Sequence, residues 1–251
     1  MRFSVKLKLK EPKVPHHYRT AFVSYLKKLL EGTPYFDLYY TKKFPKPFTF
    51  AVFLPIKTIE KDAIYLQPSP SGETFLTWNL SFADPKLALT LLAKLTDQKG
   101  RKHNWRNLVE FELLGVEPKE EKFPEGASKI TVKTLSPVYL KAKNGKTLLP
   151  DDPAFEAELN AVQAKVFKTL GLPYEPIKFR VKTCEGNGKP CYKKRVVKVL
   201  WREGGERPYP IDAFDGTFEL EGPPEVLKNL YRKGLGQRTA QGFGMIEVIR
   251  Q

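Results

Sequence analysis

Along this chain, hydrophobic periodicity switches from two to 3.6 and back, and the same order occurs twice, which leaves very few folds open. Residues 2–9 alternate strictly, with Phe3, Val5, Leu7 and Leu9 on one side and Ser4, Lys6 and Lys8 on the other. That is a half-buried strand. From about 16 to 31, Tyr18, Ala21, Phe22, Tyr25, Leu26, Leu29 and Leu30 follow helical spacing, and Gly32 sits where a helix stops. Strands are expected at 48–54 and 74–82, with a short extra one at 63–66. Asp84-Pro85 then supplies an N-cap and a proline at the first helical position. Leu87, Ala88, Leu91, Leu92 and Leu95 form the buried stripe of that helix, and a strand at about 107–116 closes the half.

This is a β-α-β-β-α-β order. Residues 117–128 (EPKEEKFPEGAS) are charged, contain two prolines and a glycine, and have no apolar period, so they read as a linker. Beyond them the order resumes. A strand at 130–135 is broken at Ser136-Pro137 and continues over 138–141. A helix is expected to open at Asp152-Pro153 and end at Gly171. Strands follow at 177–183, 193–201 and 217–221, a short helix at 224–232, and a last strand at 245–249. The expected architecture is α+β: two tandem ferredoxin-like (RRM-like) domains, 1–118 and 129–251, joined by a linker at 119–128.

Charge narrows the partners. The chain has 43 Lys+Arg against 28 Asp+Glu, a net charge of +15, in 251 residues. Such a balance points to a polyanion. Hydrophobic residues at 41% argue against wholesale disorder. No run reaches the roughly 18 apolar residues of a membrane span. The opening MRFSVKLKLKEP lacks the apolar core and small-residue cleavage site of a signal peptide, so a cytoplasmic location is expected and no membrane partner. With only two cysteines and three histidines, and neither CxxC nor HExxH, a His/Cys metal site is not expected, and no cofactor is. Cys184 and Cys191 flank a turn between two basic strands; free thiols and a disulfide both remain open.

Gly234-Leu-Gly-Gln-Arg-Thr-Ala-Gln-Gly-Phe-Gly244 is the most informative stretch, with four glycines in eleven residues between a helix and the last strand. Glycine permits positive φ and close backbone approach, and free N–H groups in such a loop form an anion nest. The loop is neither a Walker A sequence nor a dinucleotide fingerprint, because it follows a helix and precedes a strand. In this position G-x-G-x₅-G-F-G resembles the RAMP superfamily, and within it the CRISPR-associated endoribonuclease that cuts precursor CRISPR RNA in its repeats. Met1-Arg2-Phe3, Pro45-Lys46-Pro47-Phe48-Thr49 and Thr134-Leu135-Ser136-Pro137-Val138 carry the same resemblance in the right order.

The resemblance implies cleavage without metal. A base takes the proton of a 2′-OH, that oxygen attacks the adjacent phosphorus, and an acid protonates the departing 5′ oxygen. The products are a 2′,3′-cyclic phosphate and a 5′-OH, and nearby cations stabilise the added charge. Family members use a Tyr in the first helix, a His after it and a Lys before the second strand. Only Lys46 carries over cleanly. The His position falls on or near Tyr40 and the helix position on Lys27 or Lys28, so the chain departs from the pattern at the histidine. Candidate catalytic residues are therefore Lys46, Tyr40, Lys28 and Lys27. Lys27 and Lys28 also read as the solvated face of an amphipathic helix, and Tyr39 competes with Tyr40. Candidate RNA contacts are Gly234, Gly236, Gln237, Arg238, Gly242 and Gly244, the flanking Arg232 and Lys233, the loop residues Lys42 and Lys43, and the strand residues Lys193, Lys194 and Arg195. The partner implied is CRISPR repeat RNA or its precursor, with CRISPR effector-complex proteins and a second copy of the chain (a homodimer) as further candidates. A non-catalytic RNA-binding member of the superfamily is the alternative.

Overall fold

The computed structural model describes residues 1–184, 188–200 and 207–249. The strands β1 (Arg2–Leu9), β3 (Phe48–Phe53), β6 (Thr74–Phe82), β7 (Lys102–Trp105) and β8 (Val109–Lys119) form the first sheet, in the order β3-β6-β1-β8-β7. Leaving out the edge strand β7, this is the antiparallel 4-1-3-2 order of a ferredoxin-like unit. Every alternate residue of β1 is buried, as the period-two pattern requires. Helix α1 (Arg19–Leu30) buries Ala21, Phe22, Tyr25, Leu26, Leu29 and Leu30. A turn of helix, α2 (Pro34–Phe36), runs into a π-helical turn at Asp37–Thr41. Asp84 caps α3 (Pro85–Thr96), its carboxylate accepting from the N–H groups of Lys86 at 2.8 Å and Leu87 at 3.2 Å.

Three short strands, β2 (Lys13–Pro15), β4 (Ile56–Ile59) and β5 (Ala63–Leu66), make a separate sheet in the order β2-β5-β4. Only the last was expected from sequence. β2, β4 and β7 are three or four residues long, too short to show a period.

The second sheet is built from β9 (Lys129–Thr134), β10 (Lys178–Val181), β11 (Tyr192–Val199), β12 (Tyr209–Glu221) and β13 (Ile246–Val248). Its order β10-β12-β9-β13 is again 4-1-3-2, with β11 also paired to β12. Helices α4 (Phe155–Leu170) and α5 (Pro224–Lys233) supply Leu159, Phe167, Leu227 and Leu230 to a core with Val132, Phe218 and Ile246. Two tandem ferredoxin-like folds are thus present.

Some expectations are corrected. Residues 138–141 form only the isolated bridges Val138↔Phe214 and Lys141↔Thr147, because the break at Ser136-Pro137 is not followed by a regular ladder. Asp152 does not cap α4; its carboxylate accepts from the Ala154 N–H and the Lys146 ammonium, and the helix starts at Phe155. The strand β12 begins eight residues earlier than its apolar run suggests. Part of the turn expected between the cysteines (185–187) and Trp201 lie outside the described residues.

The chain divides into two compact units, each discontinuous in sequence. One comprises Met1–Lys43, Ala51–Glu120 and Val197–Ile211, the other Phe44–Phe50, Glu121–Val196 and Asp212–Gln251. Lys119, expected in a linker, ends β8, and Glu121 is held by the Arg232 guanidinium at 2.6 Å.

Candidate nucleic-acid interface

In the second unit the glycine-rich segment folds back on itself and onto two other motifs. The Leu235 N–H donates to Gly244 O at 2.8 Å, and the Gly244 N–H donates to Pro137 O at 2.8 Å. Leu135 N–H donates to Met245 O at 2.7 Å, and Met245 N–H donates to the Ser136 hydroxyl at 2.9 Å. Gln237 N–H reaches Tyr139 O at 2.8 Å, and the buried Gln163 amide of α4 donates to Gly236 O at 3.0 Å. The Thr49 hydroxyl donates to Phe243 O at 2.7 Å in a buried contact. The segments Pro45–Thr49, Thr134–Val138 and Gly234–Gly244 are therefore packed on one another.

Two glycines explain why the loop needs this composition. At Gly244 (φ +71°) a Cβ would lie 1.9 Å from Leu235 O, and at Gly236 (φ +80°) 2.5 Å from Tyr139 O. Both positions favour a residue without a side chain, on steric and conformational grounds. Gly234, Gly236, Gly242 and Gly244 are all buried. The N–H groups of Gly234, Gly242 and Gly244 donate within the chain, to Leu230 O, Thr239 O and Pro137 O.

The cations around the loop occupy different environments. Arg232 forms a two-pronged pair with Glu121, and burial notwithstanding, that guanidinium holds the Glu121 carboxyl down at about 2. Lys233 is 1% exposed, its ammonium 5.7 Å from the Phe167 ring, and burial pushes its pKa down to about 7. Arg238 adopts a left-handed backbone conformation (φ +55°) with its guanidinium 5.3 Å from the Tyr139 ring. The Gln237 side chain is engaged with the backbone of Lys141. Lys46, three residues before Thr49, is half-buried, and burial lowers its pKa from the ordinary lysine value.

In the first unit, Lys27 places its ammonium 5.9 Å from the Tyr40 ring, which packs on Phe36 at 5.4 Å. Tyr40 lies in the π-helical turn, a feature frequent at functional sites. Tyr39 points inward and stacks on Tyr35; burial, then the Asp84 carboxylate, raises its pKa, so its phenol stays protonated. Lys28 is exposed. Lys42 pairs with Asp37 at 3.4 Å, and Lys43 is exposed with φ +54°.

The basic strand pair is more neutral than its sequence suggests. Lys194 pairs with Asp212 at 2.9 Å and Arg195 with Asp215 at 2.7 Å; Lys193 is exposed. Cys184 and Cys191 are joined in a disulfide.

The three histidines have structural surroundings. His16 Nε2 lies 2.7 Å from Glu60 O, and the His17 ring lies edge-on to Trp105 at 5.7 Å. His103 packs 4.5 Å from Tyr25, its Nε2 buried without a partner. Burial, then the charge of Lys28, lowers its pKa to about 4. It is a neutral ring at physiological pH. Sequence reasoning missed Gln163, although Leu159, Gln163 and Phe167 share one helical face by their spacing of four.

The sequence matches the family model described as "CRISPR associated protein Cas6, C-terminal" over residues 117–248. No curated protein matches it. Similar solved structures include one described as "An RAMP protein binding different RNA substrates", at 17% identity and TM-score 0.78 with all of both chains covered. Another comes from a Cas6-related gene of Pyrococcus furiosus, at 19% identity and TM-score 0.76, covering 100% of this chain and 99% of that one. A third, "CRISPR associated protein Cas6", has 23% identity and TM-score 0.68 over 100% of this chain and 99% of its own. At these identities the structural likenesses establish the fold. The family match, which spans more than half the chain and takes in the whole glycine-rich loop, goes further: this chain belongs to the Cas6 family of CRISPR-associated proteins, which processes CRISPR repeat RNA.

Proposed function

We propose that the chain is a metal-independent endoribonuclease that cuts CRISPR repeat RNA by 2′-OH attack. The observation that carries this reading is the docking of the Lys46-containing segment on the glycine-rich loop through Thr49 and Phe243. It fixes the backbone three residues from Lys46 against a rigid, glycine-packed surface. Burial raises the fraction of Lys46 that is neutral near pH 7, which suits an amine that takes a proton from the 2′-OH. The 2′ oxygen then bonds to phosphorus, the bond to the 5′ oxygen breaks, and that oxygen receives a proton. The resemblance makes Tyr40, Lys27 and Lys28 further catalytic candidates, and Arg238, in the same unit as Lys46, is a candidate to balance charge on the phosphoryl oxygens.

The test is cleavage of labelled repeat RNA in excess chelator, beside RNA carrying a single 2′-deoxy nucleotide before the cut. Cleavage that the deoxy substitution abolishes supports the reading, and Lys46→Ala is expected to slow it by about 100-fold or more with RNA affinity nearly unchanged. Repeat RNA that stays intact under every condition overturns it.

A second reading, an RNA binder that does not cut, is favoured by the placement of the histidines. One of the three contacts a carbonyl, one packs on Trp105, and one is held neutral with a buried nitrogen. Tight, salt-sensitive binding of intact repeat RNA is its signature.

A further inference from the structure

The turn between β7 and β8 is a three-residue hairpin loop (106–108) with an unusual occupant. The Leu108 N–H donates to Trp105 O at 2.9 Å, and the two residues between them, Arg106 and Asn107, have φ of +53° and +56°. Positive φ at both central positions is the type I′ geometry, where Asn and Gly are favoured and a long side chain is not. Asn107 is a natural occupant, and its N–H is held by the Asn104 side chain at 2.8 Å. Arg106 pays for its conformation in local strain, a cost that concentrates at functional positions. Its guanidinium lies 5.6 Å from the Trp105 ring, the same ring that His17 packs against.

The surroundings are positive. Burial lowers the His17 pKa from the ordinary histidine value, and His16, Arg106 and Lys198 lower it further. Arg106 and Lys198 are exposed. Among the described residues no carboxylate pairs with Arg106, Lys198 or His17, whereas Lys8, Lys10, Lys13, Lys178 and Lys194 all have acidic partners. Helix α1, which follows His17, has no acidic residue in its first turn. Two exposed cations with no carboxylate partner among the described residues, one of them held in a costly conformation beside an aromatic ring, fit the phosphodiester backbone of RNA.

We infer that Arg106 and Lys198 form a phosphate-binding patch of the first unit that holds the RNA backbone. The inference rests on the reading of the chain as an RNA-processing protein. The patch takes any RNA strand, because backbone contacts carry no base information.

Arg106→Asn tests it with two readouts of opposite sign. Asparagine suits the left-handed position, so thermal stability is expected to rise slightly, by about 1–3 °C. Affinity for labelled single-stranded repeat RNA is expected to fall about fivefold, with the log–log salt slope shallower by about 0.7. Lys198→Ala, a surface change, is expected to lower affinity in the same way. Cleavage at saturating protein is expected to be unchanged in both. Affinity and salt slope equal to those of the unsubstituted chain in both variants overturn the patch alone. Absence of RNA binding by the unsubstituted chain overturns the patch together with the proposed function.

Discussion

Among the residues held at positive φ, those of the glycine-rich loop and those of the β7–β8 turn are so for opposite reasons. In the glycine-rich loop the left-handed positions are filled largely by glycine, and a Cβ at Gly236 or Gly244 would collide with a carbonyl oxygen. At the β7–β8 turn the two left-handed positions carry Arg106 and Asn107, in an exposed hairpin where glycine would fit without strain. The first uses the missing side chain to bring strands of backbone together. The second keeps a side chain at a conformational cost. Glycine in a motif therefore marks packing here, and its absence at a turn marks a side chain with something to do.

The largest effect that would sharpen this contrast is expected at Gly244. Gly244→Ala puts a methyl into the Leu235 carbonyl and strains φ, and is expected to cost about 3–5 kcal/mol in denaturant unfolding. A loss below about 1 kcal/mol would break the comparison, because the loop would then tolerate a side chain. Lys233 comes next. Its pKa falls from the ordinary lysine value of 10.5 to about 7 in the fold, so between those values the unfolded chain binds more protons and stability rises with pH. Below about pH 7 the destabilisation is complete and constant. Lys233→Met is expected to raise stability at pH 7 by a few kcal/mol, with the gain shrinking toward pH 10.5. A gain that does not depend on pH would show that the amine is charged in the fold. The smallest effect separates the two Asp-Pro sequences. Asp84→Ala removes a cap that accepts two N–H groups and is expected to cost about 1 kcal/mol, whereas Asp152→Ala, at a turn ahead of α4, is expected to cost about half as much.

The Asp-Pro pair shows how far sequence reading carries. Both sites have the same dipeptide before an apolar stripe, yet only Asp84 becomes an N-cap, because Asp152 is drawn to Lys146 and to a turn of its own. The two β-α-β-β-α-β runs were legible because each long strand and helix has enough residues to show its period. The strands β2, β4 and β7 were not, and with β7 went the turn that holds Arg106. The candidate site was legible as motifs but not as charges. Lys194 and Arg195 read as free cations until the ladder of β12 sets Asp212 and Asp215 against them. Lys233 read as a phosphate contact because helical phase alone does not say how deep the end of α5 lies, and burial rather than charge decides its state.

The interleaving of the two units bears on how the chain is made. Residues 44–50 belong with the second unit and 197–211 with the first, so neither is completed by a continuous stretch of translation. Once Glu120 has emerged, the first unit waits for the ninety-odd residues up to Ile211, a lag of roughly 5–20 s at ordinary elongation rates. The first unit is thus completed only after most of the second has been made, instead of before it. Cutting the chain at the apparent domain boundary would strip the first unit of its last segment and leave the Lys46 segment in the wrong half.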